Sequence, residues 1–283
     1  MARGYVQEPC WLLQKVVGDE NRTIYTLPSG VGVGPAVVVH KFRPDHHAFR
    51  GSYGGYAFPL FDRRPGGHGY NLDLKLVQLL SKHYGNEVSP EDVFDAIVAL
   101  LSAPSYTRRF AADLEDAFPH VPFPADLDLF GQAREVGARI GRLQTFDLQP
   151  EQLFWTARLE GSPLDRALAV PRIGSAFVDQ GNGFGTVRLN QALRLERVPL
   201  RVWEFAVSGY RVVYRWLDAR SGLSLDEVTD EESGETVQRQ LLDLVARVAA
   251  YIDACDAAEP ILEAALASPL TKSDLKYTKA VLL

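Results

Sequence analysis

Apolar residues along this chain change period twice, and each change predicts a change of architecture. Up to about residue 70 they come in short, β-branched runs: WLLQKVV, RTIYTL and, after the glycine-rich stretch Gly30 to Pro35, AVVVH. Runs of this length with polar or Gly-Pro punctuation read as strands of an irregular sheet. Between Arg43 and Tyr70, His, Arg, Gly and Tyr surround one apolar run, YAFPLF, which predicts a loop-rich surface with a strand in it. From Asn71 the spacing turns helical. NLDLKLVQLLSKHYG is amphipathic, Ser89-Pro90-Glu91-Asp92 is a helix start leading into VFDAIVALLS, Ser105 caps a further helix, SYTRRFAADLEDAF, and another runs from about Leu127 to Leu143.

After Gln149 the strand pattern returns in LFWTARLEG, ALAVPRIG, SAFVDQG, GTVRLN and ALRLERV, which predict a small antiparallel sheet. Beyond residue 200 come a turn, the amphipathic YRVVYRWLDAR and a last long helix from TVQRQLLDL onward. The expectation is an α+β, two-lobed module in four parts: 1–70 rich in strands and loops, 71–148 helical, 149–200 an antiparallel sheet, and 201–283 helical. No internal repeat or heptad run interrupts it.

The net charge of −6 argues against a generally basic nucleic-acid coat, but the distribution matters more than the sum. From His40 to His83, seven Lys or Arg face three Asp, and from Arg188 to Arg220 seven Arg face two Glu and one Asp. From Leu225 to Glu263 the chain is acid-rich, with only Arg239 and Arg247 as base. Two electrostatic poles are expected. No apolar run is long enough for a signal peptide or a membrane span, so a soluble, cytoplasmic protein without a membrane partner is expected. Cys10 and Cys255 have no second cysteine nearby and read as buried free thiols.

Candidate chemical motifs do not hold up in context. Gly30-Val31-Gly32-Val33-Gly34 is followed by Pro35 and a β-branched run, whereas a dinucleotide loop must open a helix, so a turn is the better reading. His46 and His47, with His40 and His68, lack a second cluster to complete a tetrahedral metal site. Pro124-Ala125-Asp126 and Asp274-Leu275-Lys276 are too far apart in context for a nuclease Mg²⁺ site, and no Ser-Gly pair sits in a hydrolase elbow. No catalytic residue, metal ligand or cofactor is nominated. Trp203 and Trp216 read as core aromatics, Gly209 as a turn residue, and Arg108 and Arg109 as surface cations within reach of Asp113.

Three stretches in order carry a resemblance: YAFPLF (Tyr56 to Phe61), DVFDAIVALLSAPSYTRRFAADLEDAFPHVPFP, and VPLRVWEFAVSGYRVVYRWLDARSGLSLD. Together they resemble the C-terminal target-specificity region of type ISP restriction-modification enzymes over about residues 56 to 228. The resemblance implies a module that recognises double-stranded DNA and directs a partner adenine methyltransferase and helicase-nuclease chain. This chain has neither the Asn-Pro-Pro methylase motif nor a Walker-type Gly-Lys-Ser/Thr, so no enzyme activity of its own is expected. Under that resemblance, Lys41, Arg43, Arg50, Arg63 and Arg64, supported by Tyr53, would clamp phosphates or reach base edges. Arg172, Arg188 and Arg194 on the later strand-rich part are further DNA-contact candidates, since a β-ribbon can enter the major groove. The alternative is a protein-interaction or scaffold subunit whose basic patches only steer a partner.

Overall fold

A computed structural model describes residues 20–42, 54–63, 69–150, 157–161 and 165–276, and is an α+β structure. The chain forms two compact units, residues 1–148 with 254–283, and residues 149–253.

In the first unit, β1 (Thr23–Thr26) is the middle of a three-stranded antiparallel sheet between β2 (Val38–His40) and β3 (Tyr56–Pro59). All four residues of β1 are buried, as a central strand under cover requires, and Ile24 lies in register with Val39 on one side and Phe58 on the other. Buried Asn21 acts as an extra backbone unit: its amide donates to the Phe61 carbonyl and its side-chain oxygen accepts from the Phe61 N–H, both at 2.9 Å. YAFPLF is thereby split into β3 and β4 (Phe61–Asp62), which pairs with β5 (Gly69–Tyr70). The Gly30 to Pro35 segment is a turn region, with Gly30, Gly32 and Gly34 at positive φ. It is tied down by the Gly30 N–H to the Leu114 carbonyl at 2.6 Å and by the Thr107 hydroxyl to the Gly34 carbonyl at 2.8 Å.

The helices of this unit follow from their caps. Asp73 accepts from the Lys75 N–H to start α1 (Leu74–Tyr84), and Ser89 with Asp92 forms a capping box that starts α2 (Pro90–Ser102) with Pro90 in its first turn. Helix α2 is buried continuously from Val93 to Ser102 and is the core of the unit. The expected helix from Ser105 instead breaks into α3 (Tyr106–Arg109) and a 3-10 turn at Asp113–Glu115. The reason is visible in the tertiary bonding. The Leu114 carbonyl is taken by Gly30, and the buried Tyr106 hydroxyl donates to the His120 carbonyl at 2.6 Å, so this segment is shaped by the turns it supports.

Helix α4 (Leu127–Gln144), capped by Asp126, packs directly on α2. A Cβ at Gly137 would fall 1.7 Å from the Asp95 carbonyl oxygen, so only glycine allows the two backbones to approach this closely. Beside that crossing, Arg22 donates to Asp95 at 2.5 Å and lies 5.0 Å from the centre of the Phe94 ring. Burial pushes the Asp95 carboxyl up, and Arg22 opposes that shift. Arg109 grips both oxygens of Glu263 at 2.7 and 2.8 Å, a partner 154 residues away rather than the neighbouring Asp113.

In the second unit, β6 (Arg158–Gly161), β7 (Phe177–Asp179), β8 (Phe184–Arg188) and β9 (Leu193–Pro199) form an antiparallel sheet in the order β6-β9-β8-β7. The short helix α5 (Ile173–Ala176) runs into β7. ALAVPRIG, expected as a strand, contributes only a bridge at Ala167 to Ser224 before α5. Buried Asn190 explains why the chain turns there: its amide donates to the Asp165 and Ala167 carbonyls while its oxygen accepts from the Ala192 and Leu193 N–H groups.

One face of the sheet closes on a core with Trp203 at its centre, 2% exposed and stacked on Phe177 at 5.3 Å. Helices α6 (Leu200–Glu204) and α7 (Val212–Asp218) complete it, joined by the hairpin β10 (Ala206–Val207) and β11 (Tyr210–Arg211). Ser208 and Gly209 at that hairpin's tip both have positive φ, as a two-residue turn of this kind demands. After the pair β12 (Val228–Asp230) and β13 (Glu235–Thr236), the final helix α8 (Val237–Ala267) supplies Val237, Leu241, Val245 and Val248 to this core. Its residues from Ala254 onward belong to the first unit, and Cys255 there is a buried thiol. Cys10 lies outside the described residues. No described helix is long and apolar enough to cross a membrane.

Candidate nucleic-acid interface

The alternation of β9 is the starting point. Leu193, Leu195 and Val198 are buried, whereas Arg194 is exposed and Glu196 half-exposed. Successive strand residues point to opposite faces, so the sheet turns Leu195 and its partners Leu159 and Val187 to the core and leaves a polar outer face. On that face Arg188 of β8 is the direct cross-strand partner of Arg194, and Glu160 of β6 flanks Arg194 on its other side. Arg158 lies opposite Glu196 in the next row.

Among the described residues, Arg188 and Arg194 make no ion pair, and both are exposed. Two like charges directly opposite each other in a ladder are destabilising by a few tenths of a kcal/mol, up to about 1 kcal/mol. An anion between them would relieve that repulsion. Both line an open pocket of about 350 Å³ with Ala169, Pro171, Asn190 and Gln191. Arg172 follows Pro171 immediately, exposed at the start of α5.

The candidates in the first unit are placed differently. Lys41 donates to Asp147 at 2.6 Å with only 18% of its side chain exposed, and Thr145 donates to the same carboxylate at 2.7 Å. These hydrogen bonds, that of Lys41 foremost, hold the Asp147 carboxyl below the usual range. Arg63 sits 3.3 Å from Glu20, both well exposed; a pair of this kind is worth about 1 kcal/mol at most, so Arg63 can exchange its partner. Arg43, Arg50, Tyr53 and Arg64 lie outside the described residues, as do His46, His47 and His68. Next to Lys41, His40 is held below its ordinary pKa by burial, against the opposing effect of the Phe42 carbonyl that its ring meets.

Further arginines of the second basic stretch are engaged locally. Arg201 pairs with Asp253 at 2.6 Å, and Arg220 lies 4.0 Å over the Trp216 ring with its guanidinium pKa lowered by burial. In the first unit a cleft of about 650 Å³ is walled by Tyr106, Phe110, Leu114, Phe118, Val121 and Leu266. Asp113, Asp116 and His120 also line it. Among the described residues, no group of three or more His, Cys, Asp or Glu is placed to hold a metal ion.

Residue-by-residue reasoning missed a polar chain on the same outer face. The Thr186 hydroxyl donates to Glu196 Oε2 at 2.6 Å and accepts from Gln180 Nε2 at 3.2 Å. Its signal was present: Gln180-Gly-Asn-Gly183 between two β runs marks a hairpin, and strand alternation puts Arg194 and Glu196 on one face.

A mixed α/β module with a polar sheet face and opposed, unneutralised arginines is the kind of structure that suits a polyanionic partner. Residues 6–242 match the Type ISP C-terminal specificity domain, and the chain belongs to that family. No match was found among curated proteins. Three solved structures share the fold. The ATP-dependent Type ISP restriction-modification enzyme LlaBIII bound to DNA matches with a TM-score of 0.61 and 15% identity, over 84% of this chain and 16% of that one. The DrdV-DNA complex seen by cryo-EM gives 0.65 and 19%, over 87% and 25%. A nuclease-deletion mutant of the Type ISP enzyme LlaGI, in complex with a DNA substrate mimic, gives 0.57 and 18%, over 83% and 21%. The chain thus spans a quarter or less of the length of these structures.

Proposed function

We propose that this chain is the DNA-reading module of a type ISP restriction-modification system, fixing the duplex site on which a partner methyltransferase and nuclease chain acts in the cytoplasm. The observation that carries the reading is the opposed pair Arg188 and Arg194 on the outer sheet face of a type ISP specificity domain. Their mutual repulsion is costly in the free protein and relieved against a phosphate backbone. Arg172, exposed and next in sequence to Pro171 of the pocket, is a further proposed contact, and Arg63, with Arg43, Arg50, Tyr53 and Arg64 of the same sequence stretch, is a second proposed contact segment. The sequence has no methylase or Walker motif, which supports a reader that leaves catalysis to its partner. The similar structures described as bound to DNA support duplex DNA as the ligand.

The test is retention of a mixed-sequence duplex by the 283-residue chain at low and physiological salt. Binding that falls steeply with added salt supports the reading. Absence of duplex binding at low salt, with co-purification of a methyltransferase chain, would move the function to a scaffold.

A further inference from the structure

Resting on that reading and deepening it, we propose that Glu196, positioned by Thr186 and Gln180, reads an amino-bearing base, cytosine or adenine, in the major groove. The geometry is directional. Thr186 is 8% exposed, donates to Glu196 Oε2 at 2.6 Å and accepts from the Gln180 amide at 3.2 Å; that amide also lies 3.5 Å from the same carboxylate oxygen. The hairpin carrying Gln180 is itself fixed. Asp179 accepts from the Gly181 N–H at 2.9 Å, Asn182 accepts from the Phe184 N–H at 3.2 Å, and Gly181 and Gly183 hold positive φ. Among the described residues Oε1 of Glu196 carries no hydrogen bond, so it is the oxygen left to accept one.

The electrostatics select the target. A carboxylate beside Arg158, Arg188 and Arg194 on one face is repelled by phosphates and gains nothing from deoxyribose, which has no hydroxyl to donate within a strand. Donors in the major groove come only from the exocyclic amino groups, N4 of cytosine and N6 of adenine. The arginines would meet phosphates or guanine edges, while Glu196 supplies the complementary acceptor.

The test is selection of bound sequences from a randomised duplex pool with the full chain, for wild type, Glu196→Ala, Glu196→Gln and Thr186→Val. The wild-type motif should hold one position to a single base pair, oriented with its C or A on one fixed strand of the site. There Glu196→Ala should lose on the order of ten-fold or more of its discrimination. Glu196→Gln keeps the side chain's shape but can donate as well as accept, and should admit G or T at that position. Thr186→Val should blur it more weakly, with rescue by Thr186→Ser. If Glu196→Ala and Glu196→Gln both select the wild-type motif, Glu196 is not a reader, although the module still is. If the wild type binds no duplex, the reader function falls and takes this proposal with it.

Discussion

Lys41, of the first unit, and Arg188 with Arg194, of the second, are equivalent in the sequence, as cations in basic stretches, yet the fold treats them oppositely. Lys41 is held by Asp147, whose other hydrogen bond comes from Thr145. Deeper in the same unit Arg22 is held by Asp95 and lies over the Phe94 ring. In the second unit Arg188 and Arg194 face each other across a ladder and, among the described residues, neither makes an ion pair, although Glu160 lies across from Arg194 on its other side. A positive residue matters to a polyanion only if its charge is not already neutralised. Ion pairing is set by tertiary packing, so the count of arginines in a stretch does not measure its positive field.

The contrast can be broken most forcefully at its buried end. Asp95→Ala leaves Arg22 unpaired, and removing one partner of a buried pair costs about 3–5 kcal/mol, toward the lower end here because Arg22 keeps some solvent contact. Chemical denaturation should therefore show a large drop in midpoint. By the same measurement Arg188→Ala with Arg194→Ala should be no less stable than wild type and gain up to about 1 kcal/mol, because it removes the repulsion between them. A large drop there would mean that the arginines are structural.

Acidification sharpens the comparison next. His40 has a folded pKa below its ordinary 6.5, so the unfolded chain binds the proton first. Its contribution is complete above pH 6.5 and is lost as pH falls through the lower folded value. Asp147, also lowered, adds a loss that begins only below its ordinary 3.8. Asp95, raised by burial, works the other way and adds stability as pH falls through its folded value toward 3.8. The His40 contribution is isolated by His40→Gln, which should remove a loss that starts at about pH 6.5; an unchanged profile there would reassign it. Lys41→Ala should cost about 1 kcal/mol or less, since its pair is only part-buried.

Much of the scaffold was legible because local signals and burial agree. Ser89-Pro90 and Asp92 mark the start of α2, Asp73 that of α1, and the apolar alternation of Leu193 and Leu195 marks β9 with its two faces. The helix expected after Ser105 failed where a long-range bond won: Leu114 gives its carbonyl to Gly30, a pairing no local pattern encodes. YAFPLF split for the same kind of reason, through Asn21 bonding at Phe61. At the candidate interface, the sequence could nominate Arg188 and Arg194 but not their direct opposition, which depends on strand register. Nor could it show that Lys41 reaches Asp147 or that Arg109 reaches Glu263, since these partners lie 106 and 154 residues away.

The most direct test of unneutralised charge is the salt dependence of duplex affinity for wild type, Lys41→Ala, and Arg188→Ala with Arg194→Ala. Removing one phosphate contact lowers the slope of log affinity against log salt by about 0.9. The double arginine variant should drop by about two units of slope and Lys41→Ala by essentially none. Equal slopes for the arginine variant and wild type, or a drop confined to Lys41→Ala, would contradict a role for the opposed arginines in holding DNA.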